Sequence, residues 1–412
     1  MLWKSLAFCA GLVILATEPS WAGVKTAQSC AQTDVQATVN SAVDGDTVQI
    51  PAGTCTWTTP GTFTPSVRIA AKGITLQGAG IDQTVIIDST NSGYNEVALF
   101  IDNALGKSTR VTGLTFNTNR DAHYKGNVQV GGGTHTFRID HSKFNGFTFA
   151  GNAIFVVGDT FGVIDHCLFL RGASGNFKAF QVSGSNDASW AQPLSLGTAN
   201  AVYIEDNTFT YSPATGGASY RILDTAEGAR VVFRYNTLNN TGDVGSHGYD
   251  SDPRAMISME IYNNTFNHTI PGNFYTAIAF RGGTGVVFNN TFNLVSGGWD
   301  GFIRLYYYCS CPYDCSHPTQ NVYPGKDQPG FAPNGSGGQM SAPIYEWNNA
   351  INLAPHMATG GTCAAESTMV QANRDYFMST AKPGYVPYTY PHPLISQTPT
   401  LPSAPTNLTV LR

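Results

Sequence analysis

Charged residues make up only 12% of this 412-residue chain, so a place where several of them gather is informative. Such residues recur in four successive segments near the middle of the chain, which contain Arg221 and Asp224, His247 and Asp250, Arg281, and Arg304. A histidine beside a carboxylate can act as a general base. Arginine can bind a carboxylate through two parallel hydrogen bonds. The set predicts a catalytic site for an anionic substrate, formed by Asp224, His247, Asp250, Arg281 and Arg304.

The segment 246–254, with the sequence SHGYDSDPR, is polar where the corresponding segments elsewhere are apolar. Function explains such a local departure from a pattern better than packing does. The residues predicted to bind substrate are Arg221, Tyr249, Arg254 and Tyr306. Either of the two tyrosines can serve as the acid of a reaction in which a histidine is the base.

Other interpretations of the charged residues stay open. A hydrolase would use two carboxylates, for which Asp224 and Asp250 are candidates. The arginines and aspartates can also serve packing alone, by pairing with each other on an outer surface.

A second candidate site is an acidic column with neighbouring histidines, which contains Asp140, His141, Asp165, His166, Glu205 and Asp206. Stacked carboxylates repel each other unless they are paired or bind a cation, and calcium, which favours oxygen ligands, is the candidate cofactor.

The elements that must position these residues are visible as an internal repeat. Seven segments align, at 138–144, 163–169, 203–209, 232–238, 260–266, 287–292 and 347–351. In each segment an apolar residue points into the core and the next residue points outward. A turn follows, and after it a second apolar residue points into the core. One column of the turn contains Ser142, Cys167, Asn207, Asn236, Asn264, Asn290 and Asn349. We expect these asparagines to adopt left-handed turns and to form a hydrogen-bonded ladder, with Cys167 as a small buried member.

The repeat predicts an all-β fold, a right-handed parallel β-helix with three strands per coil. A further strand precedes each turn, and these strands carry the charged cluster. Strands of successive coils lie about 4.8 Å apart, so residues from four coils can converge on one sugar-sized patch. Insertions near 184–200 and 309–343 explain the two long intervals between repeats.

The two ends of the chain differ from the repeat. Residues 1–22 have a lysine, a short apolar run and a small-residue cleavage pattern, which predicts a signal peptide and a secreted or periplasmic protein. Residues 23–381 form the predicted β-helix, in which 34–43 is an amphipathic helix that seals the open end, with Val35, Val39 and Val43 on its apolar face. The Pro/Tyr-rich residues 382–412 are expected to form a strap and tail at the other end. No later stretch is long enough to span a membrane.

Cysteine usage fits an oxidising compartment. Cys30 and Cys55 flank one short segment and are predicted to pair. A second group contains Cys309, Cys311, Cys315 and Cys363, which can form two disulfide bonds in three pairings, or a zinc site.

These features together resemble the pectate-lyase-like superfamily. The similarity rests on residues 34–57, on the segment VIDHCLF at 163–169, which resembles the W-I-D-H motif of pectate lyases, and on the asparagine column. The resemblance implies a binding groove along the first strand of each coil and its following loop. The R-x-P-x-x-R motif of pectate lyases and their calcium aspartates have no counterpart here, so the substrate does not carry over.

With this resemblance, the cluster predicts an exported polysaccharide lyase that cleaves a uronate-containing glycan by β-elimination. A glycoside hydrolase on the same fold and a non-catalytic glycan-binding or adhesin β-helix are the alternatives. The formal net charge of −5 provides no basic surface for nucleic acid. The expected partner is an anionic polysaccharide, and the expected oligomeric state is a monomer.

Overall fold

The computed structural model describes residues 22–396, apart from 63, 92–95, 103, 120–124, 132–135, 147–150, 172–176, 212–220, 250–252, 270–275, 295–301, 308–321, 353–356 and 362–365. Nearly all described secondary structure belongs to three parallel sheets, which we name A, B and C. Each complete coil contributes one strand to sheet C, then one to sheet A and one to sheet B. This arrangement is the three-stranded parallel β-helix that the repeat predicts.

The strands of each sheet pair with their neighbours in chain order. Sheet A contains Val24–Thr26, Thr47–Gln49, Thr75–Gln77, Ser108–Thr112, Thr136–Asp140, Phe161–Asp165, Val202–Glu205, Arg230–Arg234, Ser258–Tyr262, Thr284–Phe288, Ile344–Trp347 and Tyr376–Phe377. Sheet B contains Gly53–Trp57, Thr84–Asp88, Thr115–Thr118, Lys143–Gly146, Leu168–Arg171, Thr208–Tyr211, Thr237–Asn239, Thr265–His268, Thr291–Leu294 and Ala350–Ile351. Sheet C contains Val67–Ala70, Leu99–Asp102, Val128–Gly131, Gly151–Val157, Phe177–Ser183, Leu223–Ala226, Val244–Ser246, Ile278–Phe280, Ile303–Tyr307 and Met357–Gly361.

A few elements lie outside the three sheets. Strands Phe331–Pro333 and Gln339–Ser341 form an antiparallel hairpin within the second predicted insertion. The helices are Gln32–Ser41, Asp187–Trp190, Glu366–Met369 and Pro393–Ser396. No helix in the described part of the chain is both long and apolar enough to cross a membrane.

The core consists of stacked side chains that point inward from the three sheets. In sheet B the rings of Phe116, Phe144, Phe169 and Phe209 stack with centroids 4.9–5.4 Å apart. The spacing follows from the separation of neighbouring parallel strands, which brings identical positions of successive coils into contact. Each strand therefore buries one side and leaves the other for the outer surface.

The predicted asparagine ladder is present between sheets A and B. The side-chain Oδ1 of Asn236 accepts a hydrogen bond from the backbone N–H of Asn207 at 3.0 Å, and the same contact recurs from Cys167 to Asn349. Cys167 is buried and has no disulfide partner. The left-handed turn lies one residue earlier than expected, at His141, His166, Asp206, Tyr235, Asn263, Asn289 and Asn348. The ladder side chains thus serve as hydrogen-bond partners, while the residue before each one makes the turn.

The N-terminal helix, Gln32–Ser41, begins and ends two residues earlier than predicted. Val35 and Val39 are buried in the core, but Val43 lies beyond the helix and is 44% exposed. The helix ends because Ala42 adopts an extended conformation, with φ −74° and ψ 148°. The helix packs beside the first strand of sheet C, where Gln36 hydrogen-bonds the backbone of Arg68. Its role as the seal of the stack stays a prediction.

Cysteine pairing is confirmed for one bond and lies outside the described residues for the rest. Cys30 and Cys55 form a disulfide bond with Cα atoms 5.7 Å apart. Cys309, Cys311, Cys315 and Cys363 fall in the segments that the structure does not describe.

The C-terminal strap, residues 382–396, lies along the outer face of sheet A and not at the end of the stack. The guanidinium of Arg234 donates to the backbone oxygens of Tyr388 and Thr389 at 2.8 Å. Further along the strap, the N–H of His392 donates to Glu205 at 2.8 Å. Buried charges on this face attract the strap because its backbone satisfies their hydrogen bonds.

Candidate functional site

The outer face of sheet C brings the predicted cluster together. Register pairs Asp224 with Gly245, Gly245 with Ala279, and Ala279 with Arg304, so these four residues form one outward column. About 4.8 Å separates neighbouring members. Continuing the same register places His247 opposite Arg281, and Arg281 opposite Tyr306, in the adjacent column. Alignment of successive strands in the sequence therefore places these residues on the same face of sheet C as the register of the structure does.

Asp224 is the centre of the cluster. Its side chain is fully buried, and its carboxylate contacts Lys178 Nζ, Arg221 Nη1 at 2.9 Å and His247 Nε2 at 3.0 Å. Burial alone would raise the pKa of Asp224, but His247, Arg221 and Lys178 outweigh it and hold the pKa well below its usual range. Asp224 is therefore a fixed negative charge that orients three cationic or polar neighbours.

The contact with Asp224 fixes which nitrogen of His247 can react. In the neutral ring, an Nε2 that donates to the carboxylate leaves Nδ1 without a proton. The His247 side chain is 27% exposed, while Asp224 is fully buried. Such a carboxylate–histidine pair holds the ring orientation and raises the basicity of the other nitrogen. His247 has the geometry of a general base at the surface of sheet C.

Two small residues lie between the charged groups of the central column. Gly245 and Ala279 occupy the two positions between Asp224 and Arg304 in the central column, and both are buried. We name the outer face of sheet C around Gly245 and Ala279, together with the charged side chains that border it, the sheet C hollow.

Arg281, Arg304 and Tyr306 lie on the side of the hollow that faces the later coils. The guanidinium of Arg304 lies 3.9 Å from the centre of the Tyr306 ring. Arg281 is 7% exposed, and its backbone N–H donates to Ser246 Oγ at 3.0 Å. With Lys178 and Arg221, the described side chains around the hollow include four permanent cations. Among the described residues, the carboxyl groups of Asp224 and Asp243 lie beside Arg221.

Arg254 lies in a different environment from the other predicted site residues. It is 4% exposed, and it donates to both oxygens of Asp327 at 2.8 and 2.9 Å and to Asp187 at 2.7 Å. Its guanidinium also lies 4.2 Å from the ring of Trp190. These contacts bind the two insertions to the coil. They give Arg254 a structural function, whereas its position in the polar segment 246–254 led to the prediction that it binds substrate.

Two other predicted residues are only partly defined. Tyr249 lies near the second insertion, with Lys326 Nζ 4.2 Å from the centre of its ring. Burial raises the pKa of Tyr249, and the nearby charge of Asp327 adds to that effect. Asp250 is among the residues that the structure does not describe.

The acidic column on sheet A is neutralised by arginines. Asp140 accepts hydrogen bonds from Arg110 at 2.6 and 2.7 Å, and Asp165 accepts two from Arg138 at 2.8 Å. Glu205 is paired with Arg234 in the same way, at 2.5 and 2.6 Å. Because these arginines already pair with the carboxylates, the repulsion within the column is offset without a calcium ion. Among the described residues, no group of three His, Cys, Asp or Glu side chains is arranged to hold a metal ion.

Two residues beside the hollow escaped the sequence analysis. Lys178 belongs to the preceding coil and contacts Asp224 across the strands. Asp243 precedes the strand Val244–Ser246, and its Oδ2 lies 3.4 Å from Arg221 Nε. Neither residue is a register partner of Asp224, which pairs with Gln181 on one side and with Gly245 on the other, so strand alignment does not indicate them.

No protein-family model matches the sequence, and a comparison with curated proteins finds no match. Among solved structures, the chain is similar to an alginate lyase from Paenibacillus sp. str. FPU-7, with 13% identity, a TM-score of 0.39, and coverage of 83% of this chain and 99% of that one.

Two further structures have comparable values. The catalytic domain of a GH87 α-1,3-glucanase in complex with nigerose has 14% identity and a TM-score of 0.33, over 89% of this chain and 69% of that one. The A-module of a mannuronan C-5 epimerase from Azotobacter vinelandii has 12% identity and a TM-score of 0.34, over 85% of this chain and 96% of that one. At such identities the similarity concerns the fold only.

Proposed function

We propose that this chain is an exported polysaccharide lyase that cleaves a uronate-containing glycan by β-elimination in the sheet C hollow. The observation that carries the proposal is the 3.0 Å contact between His247 Nε2 and the buried carboxylate of Asp224, at the edge of a hollow bordered by arginines. A base and a site for an anionic group thus lie on one face of the same sheet.

Each step of the elimination has a candidate residue. Arg281 and Arg304 bind the uronate carboxylate, which reduces the negative charge that develops as the C5 proton leaves. Nδ1 of His247 accepts that proton, and the buried Asp224 stabilises the imidazolium that forms. The C5–H electron pair forms the C4–C5 double bond as the bond from C4 to the glycosidic oxygen breaks. The hollow over Gly245 and Ala279 accommodates the reacting sugar.

A glycoside hydrolase is the second candidate, and one observation favours it. Asp224 and Asp243 lie on neighbouring coils on either side of Arg221, at 2.9 Å from Nη1 and 3.4 Å from Nε respectively. Burial raises the pKa of Asp243, whereas the surrounding cations lower that of Asp224. Two carboxyl groups whose pKa values are shifted in opposite directions can act as the acid and the base of hydrolysis.

One experiment separates these functions from each other and from a binding-only β-helix. The purified protein is incubated with pectate, alginate and glycosaminoglycans, with and without calcium, and with neutral glucans. A lyase yields products with the ultraviolet absorbance of an unsaturated uronate. A hydrolase yields new reducing ends without that absorbance, and a binding module yields neither product. Absence of the unsaturated product on every uronate polymer would overturn the lyase proposal.

A further inference from the structure

Three residues of one strand segment face the sheet C hollow in regular alternation. Val244 and Ser246 are fully buried beneath the sheet, so Asp243, Gly245 and His247 point to the outer face. Asp243 and His247 are therefore on the same face on either side of Gly245. Their Cα atoms are roughly 13 Å apart, since a strand rises about 3.3 Å per residue. The side chains of Asp243 and His247 thus lie on either side of Gly245, which has no side chain of its own.

Gly245 is required for this arrangement. A Cβ atom on Gly245 would lie 2.7 Å from Asp243 Oδ2, and 3.5 Å from the Cβ of Ala279. Real Cβ atoms do not approach an oxygen so closely, so the carboxyl of Asp243 occupies the space that a side chain at 245 would take. The carboxyl group consequently leans over Gly245 and toward His247.

The partners of Asp243 differ from those of Asp224. Arg221 lies between the two carboxyl groups, but its contact with Asp224 is 2.9 Å and that with Asp243 is 3.4 Å. Asp224 has two further cationic or polar partners, Lys178 and His247. Burial raises the pKa of Asp243, and the neighbouring charge of Asp224 adds to this effect against the opposing effect of Arg221. Asp243 thus keeps its proton to a higher pH than an aspartate in water does, beside a carboxylate whose pKa is lowered.

We propose that Asp243 is the proton donor to the glycosidic oxygen that leaves C4, across the hollow from the base His247. This role rests on the lyase function proposed above and adds a residue to it. As the C4–O bond breaks, the leaving oxygen takes the carboxyl proton of Asp243, while His247 holds the proton from C5. Asp243 ends as a carboxylate and His247 as an imidazolium, and exchange of protons with water restores both.

The two tyrosines predicted as acids fit this step less well. The ring of Tyr306 lies beneath the guanidinium of Arg304, and the ring of Tyr249 lies beneath Lys326 of the second insertion. A carboxylic acid also protonates a departing alkoxide more readily than a phenol does, because its proton is more acidic. Asp243 is moreover on the same strand segment as the base, so both are positioned by one element.

The test compares substrates that differ in how much they need a proton donor. Asp243→Asn is measured on the uronate polymer that the wild-type protein cleaves and on a uronide whose O4 substituent is nitrophenol. Nitrophenolate leaves without protonation, whereas the sugar alkoxide does not. We expect kcat on the polymer to fall about 10²–10³-fold, and kcat on the nitrophenyl substrate to stay within about 5-fold of wild type. The basic limb of the pH profile on the polymer should also disappear.

Several variants control for folding and for charge. Asp102→Asn removes a carboxylate that pairs with Arg68 in the first coils of sheet C, and it should change neither rate. Asp243→Glu keeps an acid and should retain more polymer activity than Asp243→Asn. Gly245→Ala displaces the carboxyl of Asp243 and should reproduce the difference between the two substrates even if the Asn variant does not fold.

Two results would overturn the role of Asp243. One is an equal loss on both substrates in folded variants, which indicates binding or packing. The other is full polymer activity of Asp243→Asn. A wild-type protein that forms no unsaturated product from any uronate polymer instead overturns the lyase function itself, so the two failures are distinguishable.

Discussion

His247 Nε2 lies 3.0 Å from Oδ1 of Asp224, and the two residues come from neighbouring coils of sheet C. Asp224 is fully buried, while about a quarter of the His247 side chain is exposed. The pair thus places a fixed negative charge beneath the surface and a partly exposed imidazole ring above it. The same contact type occurs between His141 and Asp140 on sheet A, where Nδ1 lies 2.7 Å from the carboxylate. The difference is the hollow, which only the pair on sheet C borders.

Replacing the base should remove activity without unfolding the protein. We expect His247→Asn to lower kcat on a uronate polymer about 10²–10⁴-fold, because the proton at C5 loses its acceptor. His141→Asn is the matched control, since it breaks a histidine–aspartate pair of similar geometry away from the hollow. Rates of product formation and thermal midpoints are measured for both variants. An unchanged rate in folded His247→Asn would contradict the role of this residue.

The asparagine ladder should stabilise the fold far more than exposed asparagines do. Asn236→Ala removes the acceptor of the Asn207 backbone N–H and a donor to the Ile204 carbonyl, both buried. We expect a loss of about 2–4 kcal/mol in the free energy of unfolding, because buried polar groups are left unsatisfied. Asn239→Ala, on the outer face of the same coil, should cost less than about 1 kcal/mol. Urea denaturation provides the comparison, and equal losses would contradict the account.

Arg234 should contribute more to stability than the other two arginines that neutralise the acidic column of sheet A. It is fully buried, pairs with Glu205, and donates to the backbone of the C-terminal strap. Arg234→Met leaves a buried carboxylate without its partner, and we expect it to cost about 3–5 kcal/mol. Arg110→Met should cost less, since Arg110 is partly exposed and Asp140 keeps Arg138 as a neighbour. Protease sensitivity of the strap should rise only in the Arg234 variant.

The buried histidines should make the protein less stable in acid. Burial lowers the pKa of His268 to about 4, so the folded state binds fewer protons than the unfolded state between pH 6.5 and 4. The free energy of unfolding must therefore decrease as the pH is lowered from 6.5 to 4. We expect His268→Asn to reduce that fall by up to about 3 kcal/mol relative to wild type, as measured by urea denaturation at both pH values. A variant with an undiminished loss of stability would contradict the shifted pKa.

The periodic features of the fold could be predicted from the sequence because each coil repeats them. The ladder residues from Cys167 to Asn349 and the disulfide bond between Cys30 and Cys55 are confirmed. The strap is different, because its position depends on Glu205 and Arg234, which are far from it in the chain. The arginines that neutralise the acidic column were missed for the same reason: Arg110 and Arg138 lie one coil away from the carboxylates they bind.

Only those residues of the candidate site that lie at corresponding positions of successive strands could be predicted from the sequence. Asp224, His247, Arg281 and Arg304 could be placed on one face because they occupy corresponding strands. Lys178 and Asp243 were missed, since neither is a register partner of Asp224 and their contacts depend on how the side chains lie in three dimensions. Arg254 has the right residue type in a polar segment, yet its contacts are with Asp187 and Asp327 of the two insertions. Ion pairs between a coil and an insertion cannot be predicted from the repeat, because they depend on how the insertion folds back onto the coil.

The central claim is that the sheet C hollow cleaves a uronate glycan by elimination. The most direct test is the ultraviolet absorbance of purified protein incubated with pectate, alginate and glycosaminoglycans, measured in parallel for His247→Asn. The account predicts that absorbance of an unsaturated uronate grows with time on at least one polymer for the wild-type protein and is lost in the variant. Absence of that product on every uronate polymer, or equal rates for both proteins, would contradict it.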